Sequence, residues 1–198
     1  NGKDVFEKVD VILERFLKTE DAITEKFNSA SFGTIAHICV EARLNNKEPV
    51  MPANLTGSLK PAEYETLLEA GKELAGRFMK SPLGKTAGNN HLRESEFAFR
   101  SIIKDKSGNE MFINGSIDLF FEDDNSVIHI LDFKTDNKEE PLEHIPQMAC
   151  YYHAVNSLFA LPDKKECRVW LYYLRSGHAV ELTEEVKTFD LEKEVFSA

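Results

Sequence analysis

Asp118, Asp132 and Lys134 are the residues whose types and spacing can do chemistry. They lie in NGSIDLFFEDDNSVIHILDFKTD, Asn114 to Asp136, on two successive apolar segments that read as strands. Over Ser126 to Thr135 a period of two puts Ile130, Asp132 and Lys134 on one face, and Leu131 and Phe133 on the other. On the preceding segment Ile113, Gly115, Ile117, Leu119 and Phe121 share a face, and Asp118 projects from the opposite one. The intervening EDDNS is a turn signal, so the simplest pairing is a hairpin that sets Asp118 beside Asp132. Two carboxylates and an ammonium placed together suit metal-dependent phosphodiester hydrolysis. That reaction needs an activated water, neutralised charge on the phosphoryl oxygens and a stabilised leaving alkoxide. Carboxylates recruit a hard cation such as Mg²⁺, which keeps positions open for water and phosphate. A neighbouring lysine can orient the water or touch the phosphate. On a polar hairpin a bare D-x-K would be an exposed ion pair worth about 0–1 kcal/mol. Here LDFK is framed by apolar residues, which favours a built site.

Gly115-Ser116-Ile117-Asp118 followed by Asp132-Phe133-Lys134 resembles the G-x-[IV]-D … D-x-K core of the PD-(D/E)XK nuclease superfamily. The nearest likeness is to the RecB/AddA-type nuclease domain at the C-terminus of bacterial helicase–nucleases. Three more elements follow the family's order. Gly33-Thr34-Ile35-Ala36-His37 is similar to its G-x-x-x-H helix. Glu94-Ser95-Glu96-Phe97 is similar to its E-x-P-F strand start, with Glu96 in place of proline. Gln147 to Tyr151 is similar to its Q-x-x-x-Y motif. The likeness runs from about Phe32 to Leu174.

The resemblance implies a restriction-endonuclease-like α/β core with a mixed central sheet flanked by helices. It implies that His37, Asp118, Asp132 and the main-chain carbonyl of Phe133 hold Mg²⁺. Imidazole among oxygen ligands suits Mn²⁺ as well, so Mn²⁺ is expected to substitute. Lys134 would orient or help deprotonate the attacking water. Glu94 would support the metal site and is preferred to Glu96, which shares its strand face, on the position of Phe97. Gln147 and Tyr151 would flank the site, contacting DNA or steadying the catalytic residues. Glu41, one turn beyond His37 on a helix expected over Thr34 to Leu44, is a candidate acceptor for its ring. The plain alternatives are a half-buried surface histidine at 37 and a tyrosine at the rim of the core at 151. Some relatives carry a four-cysteine iron–sulfur cluster; Cys39, Cys150 and Cys167 are three and scattered, so none is expected here.

A chain of 198 residues can bury one substantial core, and 42% hydrophobic content with 14 Phe describes a folded protein. One nuclease domain over 1–198 is expected, with a helical extension or linker at 1–30, the core at 31–175 and a tail at 176–198. No run approaches the length of a membrane helix and no signal peptide is visible, so a cytoplasmic protein without membrane contact is expected. A net charge of −10 argues against autonomous capture of phosphates. Tethering to a motor would supply the strand instead. The expected partner is therefore DNA, as single strands delivered by a helicase, with helicase domains upstream in the same chain and a partner subunit. The first residue, Asn1, fits a fragment of a longer chain. Two other classes stay open: a nuclease fold without catalysis that binds DNA or protein, and a protein-interaction domain.

The patterning expects an amphipathic helix over Asp4 to Lys18, a loop over Pro49 to Ser58 and a helix from Pro61 to about Met79. A third helix carries Ile145, Met148, Tyr152, Val155 and Phe159 as its apolar stripe. Strands are expected over Glu96 to Ile103, Glu110 to Glu122, Ser126 to Thr135 and Cys167 to Arg175. The last fifteen residues, Glu184 to Ala198, are too polar to assign to an element. His91, His129, His144, His153 and His178 have no ligand spacing with the carboxylates and read as structural.

Overall fold

The computed structural model describes residues 22–57, 59–90, 92–159 and 165–196, with side chains from Ala30 onward. The helix expected over Asp4 to Lys18 lies outside the described residues. The chain divides into two compact units: Asn1–Gly88 with Lys134–Asn137 and Tyr173–His178, and Asn89–Phe133 with Lys138–Tyr172 and Ala179–Ala198.

The first unit is helical. It contains α1 (Ala22–Leu44), α2 (Ala53–Thr56), α3 (Pro61–Lys80) and α4, which begins at Pro82 and ends at Asn89. Pro61 starts α3 because its fixed φ suits a first helical turn, and the Lys60 amide donates to Glu63 at 2.9 Å. At the other end the Ser81 hydroxyl accepts the Gly84 amide at 3.0 Å, which caps α4. Leu67, Ala70, Gly71, Leu74, Ala75 and Phe78 form the buried stripe of α3, at the spacing of one helical face. Phe32, Ile35, Ala36, Cys39 and Val40 form that of α1. The helices meet at Gly71, where a Cβ would lie 3.1 Å from Ile35 Cγ2 and 3.2 Å from Cys39 Sγ. Burial there pushes the Cys39 thiol up to about 11, so it is a small apolar core group.

The second unit is built on a mixed five-stranded sheet in the order β1 (Arg93–Lys104), β2 (Glu110–Glu122), β3 (Ile128–Lys134), β4 (Cys167–Tyr173), β5 (His178–Glu181). β1 and β3 both pair antiparallel with β2. The β2–β3 turn is an Asx turn, since Asp123 Oδ1 accepts the amides of Asn125 and Val127, each at 2.9 Å. β3 and β4 run parallel. Ile128 donates to Glu166 at one end and Leu174 donates to Lys134 at the other, so the two positions rise together. A parallel pair needs a crossover, which the 3₁₀ turn Pro141–His144 and α5 (Ile145–Phe159) provide. β3 is buried at every residue from Ile128 to Phe133, as a continuous apolar run in such a sheet should be.

Tyr151 of α5 meets Phe99 of β1 edge-on, with ring centroids 5.8 Å apart. A Cβ on Gly115 would lie 3.1 Å from the Phe99 ring, which is why that sheet position carries none. The polar end of the chain forms two short helices, α6 (Thr183–Thr188) and α7 (Leu191–Phe196). Val186 is buried, and the Thr183 hydroxyl accepts the Val169 amide of β4 at 3.0 Å. The fold is the α/β, restriction-endonuclease-like class expected from the sequence. No helix among the described residues is long and apolar enough to cross a membrane.

Candidate metal centre

Asp118 stands where the sheet's regular pairing is interrupted twice. Against β1 the ladder runs through Ser95–Leu119 and Phe97–Ile117 but skips the step between, which would pair Glu96 with Asp118. Glu96 is there in the left-handed region, at φ 51°. A residue with a side chain pays roughly 1–2 kcal/mol for that conformation. Against β3 the register Phe120–Ile130, Leu119–Leu131 points next to Asp118–Asp132. At that step a side-chain bond takes over: the Phe133 amide donates to Asp118 Oδ2 at 2.6 Å. Asp118 is thus fixed by the strand that carries Asp132. A carboxylate oxygen of Glu96 and one of Asp118 lie within 4.8 Å of each other. The Ser116 hydroxyl donates to Glu96 Oε2 at 3.3 Å.

Asp132 is only 3% exposed. A buried carboxylate must be hydrogen-bonded, paired or metal-bound to be tolerated. Gln147, at the start of α5, donates from Nε2 to Asp132 Oδ1 at 2.9 Å and contacts Tyr151 Oη at 2.7 Å. The i, i+4 spacing of Gln147 and Tyr151 lets one helix face steady the carboxylate and the phenol together. The Tyr151 hydroxyl is pushed well above its ordinary range by burial, then by the negative charge of Asp132, with smaller contributions from Asp118 and Glu96. Three carboxylates therefore act on one buried phenol. The neighbouring Glu96 and Asp118 carboxylates offer oxygen donors of the kind a hard divalent cation takes, and such an ion would offset the repulsion between them.

The remaining expected residues are placed as follows. His37 lies half-buried on α1, one turn after Gly33, and Glu41 follows it one turn later, also half-buried. A Cβ on Gly33 would sit 3.3 Å from Thr135 Oγ1, so the glycine lets α1 approach the segment that leaves β3. Lys134 is the last residue of β3 and is half-buried, and its carbonyl accepts the Leu174 amide at 2.8 Å. Glu94 pairs across the ladder with Phe120 and is exposed. Glu96, which the sequence reading set second to Glu94, is the glutamate whose carboxylate approaches Asp118. Strand parity puts both on one face and does not separate them; the break in the ladder at Glu96 does.

His129 has a different setting. The Trp170 indole donates to its Nδ1 at 3.1 Å, and its Nε2 lies 3.2 Å from Asp123 Oδ2. Indole is a donor only, so Nδ1 is the accepting nitrogen and Nε2 carries the proton. Burial lowers the imidazole's proton affinity, against the pull of Asp123. His129 is thus a neutral core histidine stacked on Phe121 at 4.8 Å.

The model of the PD-(D/E)XK nuclease superfamily matches residues 12–198, and the chain belongs to that superfamily. Nucleases of this class use divalent metal ions, and the Glu96 and Asp118 carboxylates could hold one. No curated protein matches the sequence. A solved structure described as "Crystal structure of SSO0001" is similar over 100% of this chain and 86% of its own, at 15% identity and a TM-score of 0.38.

Proposed function

We propose that the chain is a Mg²⁺-dependent deoxyribonuclease domain, with Mn²⁺ able to substitute, that works as the C-terminal part of a RecB/AddA-like helicase–nuclease in break repair and recombination. The observation that carries the hydrolytic reading is the Glu96–Asp118 carboxylate pair, within 4.8 Å, beside a strand that buries Asp132. A bound divalent ion supplies charge neutralisation at the scissile phosphate and at the leaving oxygen. The chain's own residues do the rest. Asp118 and Asp132 hold the ion, together with the Phe133 carbonyl. The Phe133 amide fixes Asp118, and the Gln147 amide fixes Asp132. His37 joins the ligands on the strength of the G-x-x-x-H motif, with Glu41 as acceptor for its ring. Lys134 would orient the attacking water or help deprotonate it. Glu94 and Tyr151 support the site from the strand and from the helix.

The helicase context rests on the resemblance and on the net charge of −10, which disfavours capture of phosphates without help. The test is digestion of single-stranded and duplex DNA with Mg²⁺, with Mn²⁺ and with EDTA, by the wild type and by Asp118→Asn. Metal-dependent cleavage lost in Asp118→Asn is the expected result. Cleavage that survives EDTA, or that persists in Asp118→Asn, would overturn the reading. DNA or protein binding without cleavage in either metal would favour an inactive nuclease-fold module.

A further inference from the structure

The strands that carry the carboxylates also build a cavity of about 340 Å³. Phe97, Phe120 and Phe159 form its wall, with ring centroids 5.4, 5.2 and 5.9 Å apart and planes inclined by 39–58°. Leu92, 68% exposed, and Phe159, 44% exposed, leave the apolar surface open to solvent. Arg93 and Glu94 also line it. Its position is set by the ladder. Phe120 leaves β2 two residues beyond Asp118, roughly 7 Å along the strand, and Phe97 follows Glu96 directly on β1. The left-handed turn at Glu96 lets the Phe97 ring reach Phe120, although the ladder sets Phe97 opposite Ile117.

We propose that this cavity holds one unpaired nucleobase of the strand whose phosphate lies at Glu96 and Asp118; the proposal rests on the nuclease reading. A phosphodiester held through a divalent ion at the Glu96 and Asp118 carboxylates would bring the base of an adjacent nucleotide within reach of the rings. Every base offers a flat π-face, so stacking on aromatic side chains tolerates any sequence. The lining also carries the Glu94 carboxylate, which can accept from an exocyclic amino group, and the Arg93 guanidinium, whose Nη1 donates to the Asn90 carbonyl at 2.7 Å. The other acid at the cavity, Glu122, is paired with Lys165 at 2.7 Å and adds little net repulsion. Stacking also answers the charge problem. A chain of net charge −10 gains little from counterion release, so grip on the strand must come from contacts that do not depend on phosphates. A base inside a duplex cannot enter the cavity without leaving its stack. The site therefore selects single-stranded or frayed nucleic acid at the scissile position.

The test is binding in Mn²⁺ on a Lys134→Ala background, which should keep the ion and cleave at least about a hundredfold more slowly. It compares a labelled single-stranded oligonucleotide, the same length of abasic strand with equal phosphates, and the matching duplex. The normal single strand should bind at least about fivefold more tightly than either, the lower end of what one stacked base supplies. Phe159→Ala, which removes an exposed ring, should erase that difference, and Leu92→Ala, a second exposed wall residue, should reduce it. Equal affinity for the abasic strand overturns the proposal, and so does undiminished base preference in both variants or no measurable single-strand binding. A parallel digestion in Mg²⁺ separates the two claims. Cleavage without base-dependent binding sinks the cavity and leaves the nuclease reading standing. Base-dependent binding without cleavage in Mg²⁺ or Mn²⁺ sinks the nuclease reading and leaves the base site standing.

Discussion

Replacing Glu96 separates what its carboxylate does for the site from what it costs the fold. The residue holds a left-handed φ of 51°, which costs a side-chain-bearing residue roughly 1–2 kcal/mol. Its carboxylate lies within 4.8 Å of that of Asp118. Two like charges at that separation repel by about 1 kcal/mol at the dielectric of water, the value suited to an exposed glutamate. Glu96→Gln removes the charge and keeps the backbone cost, so without metal it should stabilise by about 1 kcal/mol. Glu96→Asn removes the charge and most of the backbone cost, because asparagine tolerates the left-handed region; it should stabilise by about 2 kcal/mol. Urea unfolding in EDTA reads both values, and in a chain of this size each kcal/mol moves Tm by about 2–4 °C. Millimolar Mn²⁺ should invert the order. Wild type gains about 2.7 kcal/mol when the ion stands at a hundredfold excess over Kd, whereas each variant has lost the carboxylate that lies within 4.8 Å of Asp118 and should gain less. The reasoning fails if Glu96→Asn is no more stable than Glu96→Gln in EDTA, or if Mn²⁺ stabilises all three proteins equally.

Gln147 and Asp132 should be coupled: a double-mutant cycle with Gln147→Ala and Asp132→Ala, read by urea unfolding, is expected to give about 1.5–3 kcal/mol, the worth of a hydrogen bond to a buried charge. A coupling near zero would mean that Gln147 does not steady the carboxylate. His129, whose folded pKa is depressed below 6.5 by burial, binds a proton more readily unfolded than folded, so stability should fall as pH drops below about 6.5 and level off beneath the folded pKa. His129→Gln should flatten that slope, and an unchanged slope would assign it to other groups. Lys134→Ala should keep the Mn²⁺-induced rise in Tm yet lose cleavage by at least about a hundredfold, and Lys134→Arg should not restore it. Full activity in Lys134→Ala would make the lysine a bystander.

The hairpin was legible because period-two alternation and an Asx turn are local signals. Ile117, Leu119 and Phe121 are buried while Asp118 and Phe120 are half-buried, as the alternation requires. α3 and α5 were legible from their stripes, Pro61 marking the start of the first. The helix expected over Thr34 to Leu44 starts earlier, at Ala22. α4 was missed because Gly84 and Gly88 lower its helix propensity; its support is the Ser81 cap. α6 was missed because its sequence is polar, and what anchors it is the Thr183 bond to β4 and the burial of Val186. β5 is four residues long and begins just after the Gly177 turn, too short for a period to show.

The choice between Glu94 and Glu96 shows where pattern reasoning ends. Both sit on one strand face, and a pleat cannot distinguish residues two apart. What separates them is a conformation that sequence statistics disfavour for glutamate, a positive φ in a strand whose backbone pairing lapses at that step. Such a geometry is stable only where the surroundings impose it, and here they do. The ladder resumes at Phe97, the Ser116 hydroxyl holds the carboxylate, and the Phe133 amide pins its neighbour Asp118. Two acids are thus brought together at a place where neither repulsion nor backbone preference would put them. Local cost of that kind is expected at functional sites, where binding of a counter-ion recovers it. A purely structural strand would gain by repairing the break with asparagine or glycine at position 96, so the glutamate there is the residue that a stability argument alone does not explain.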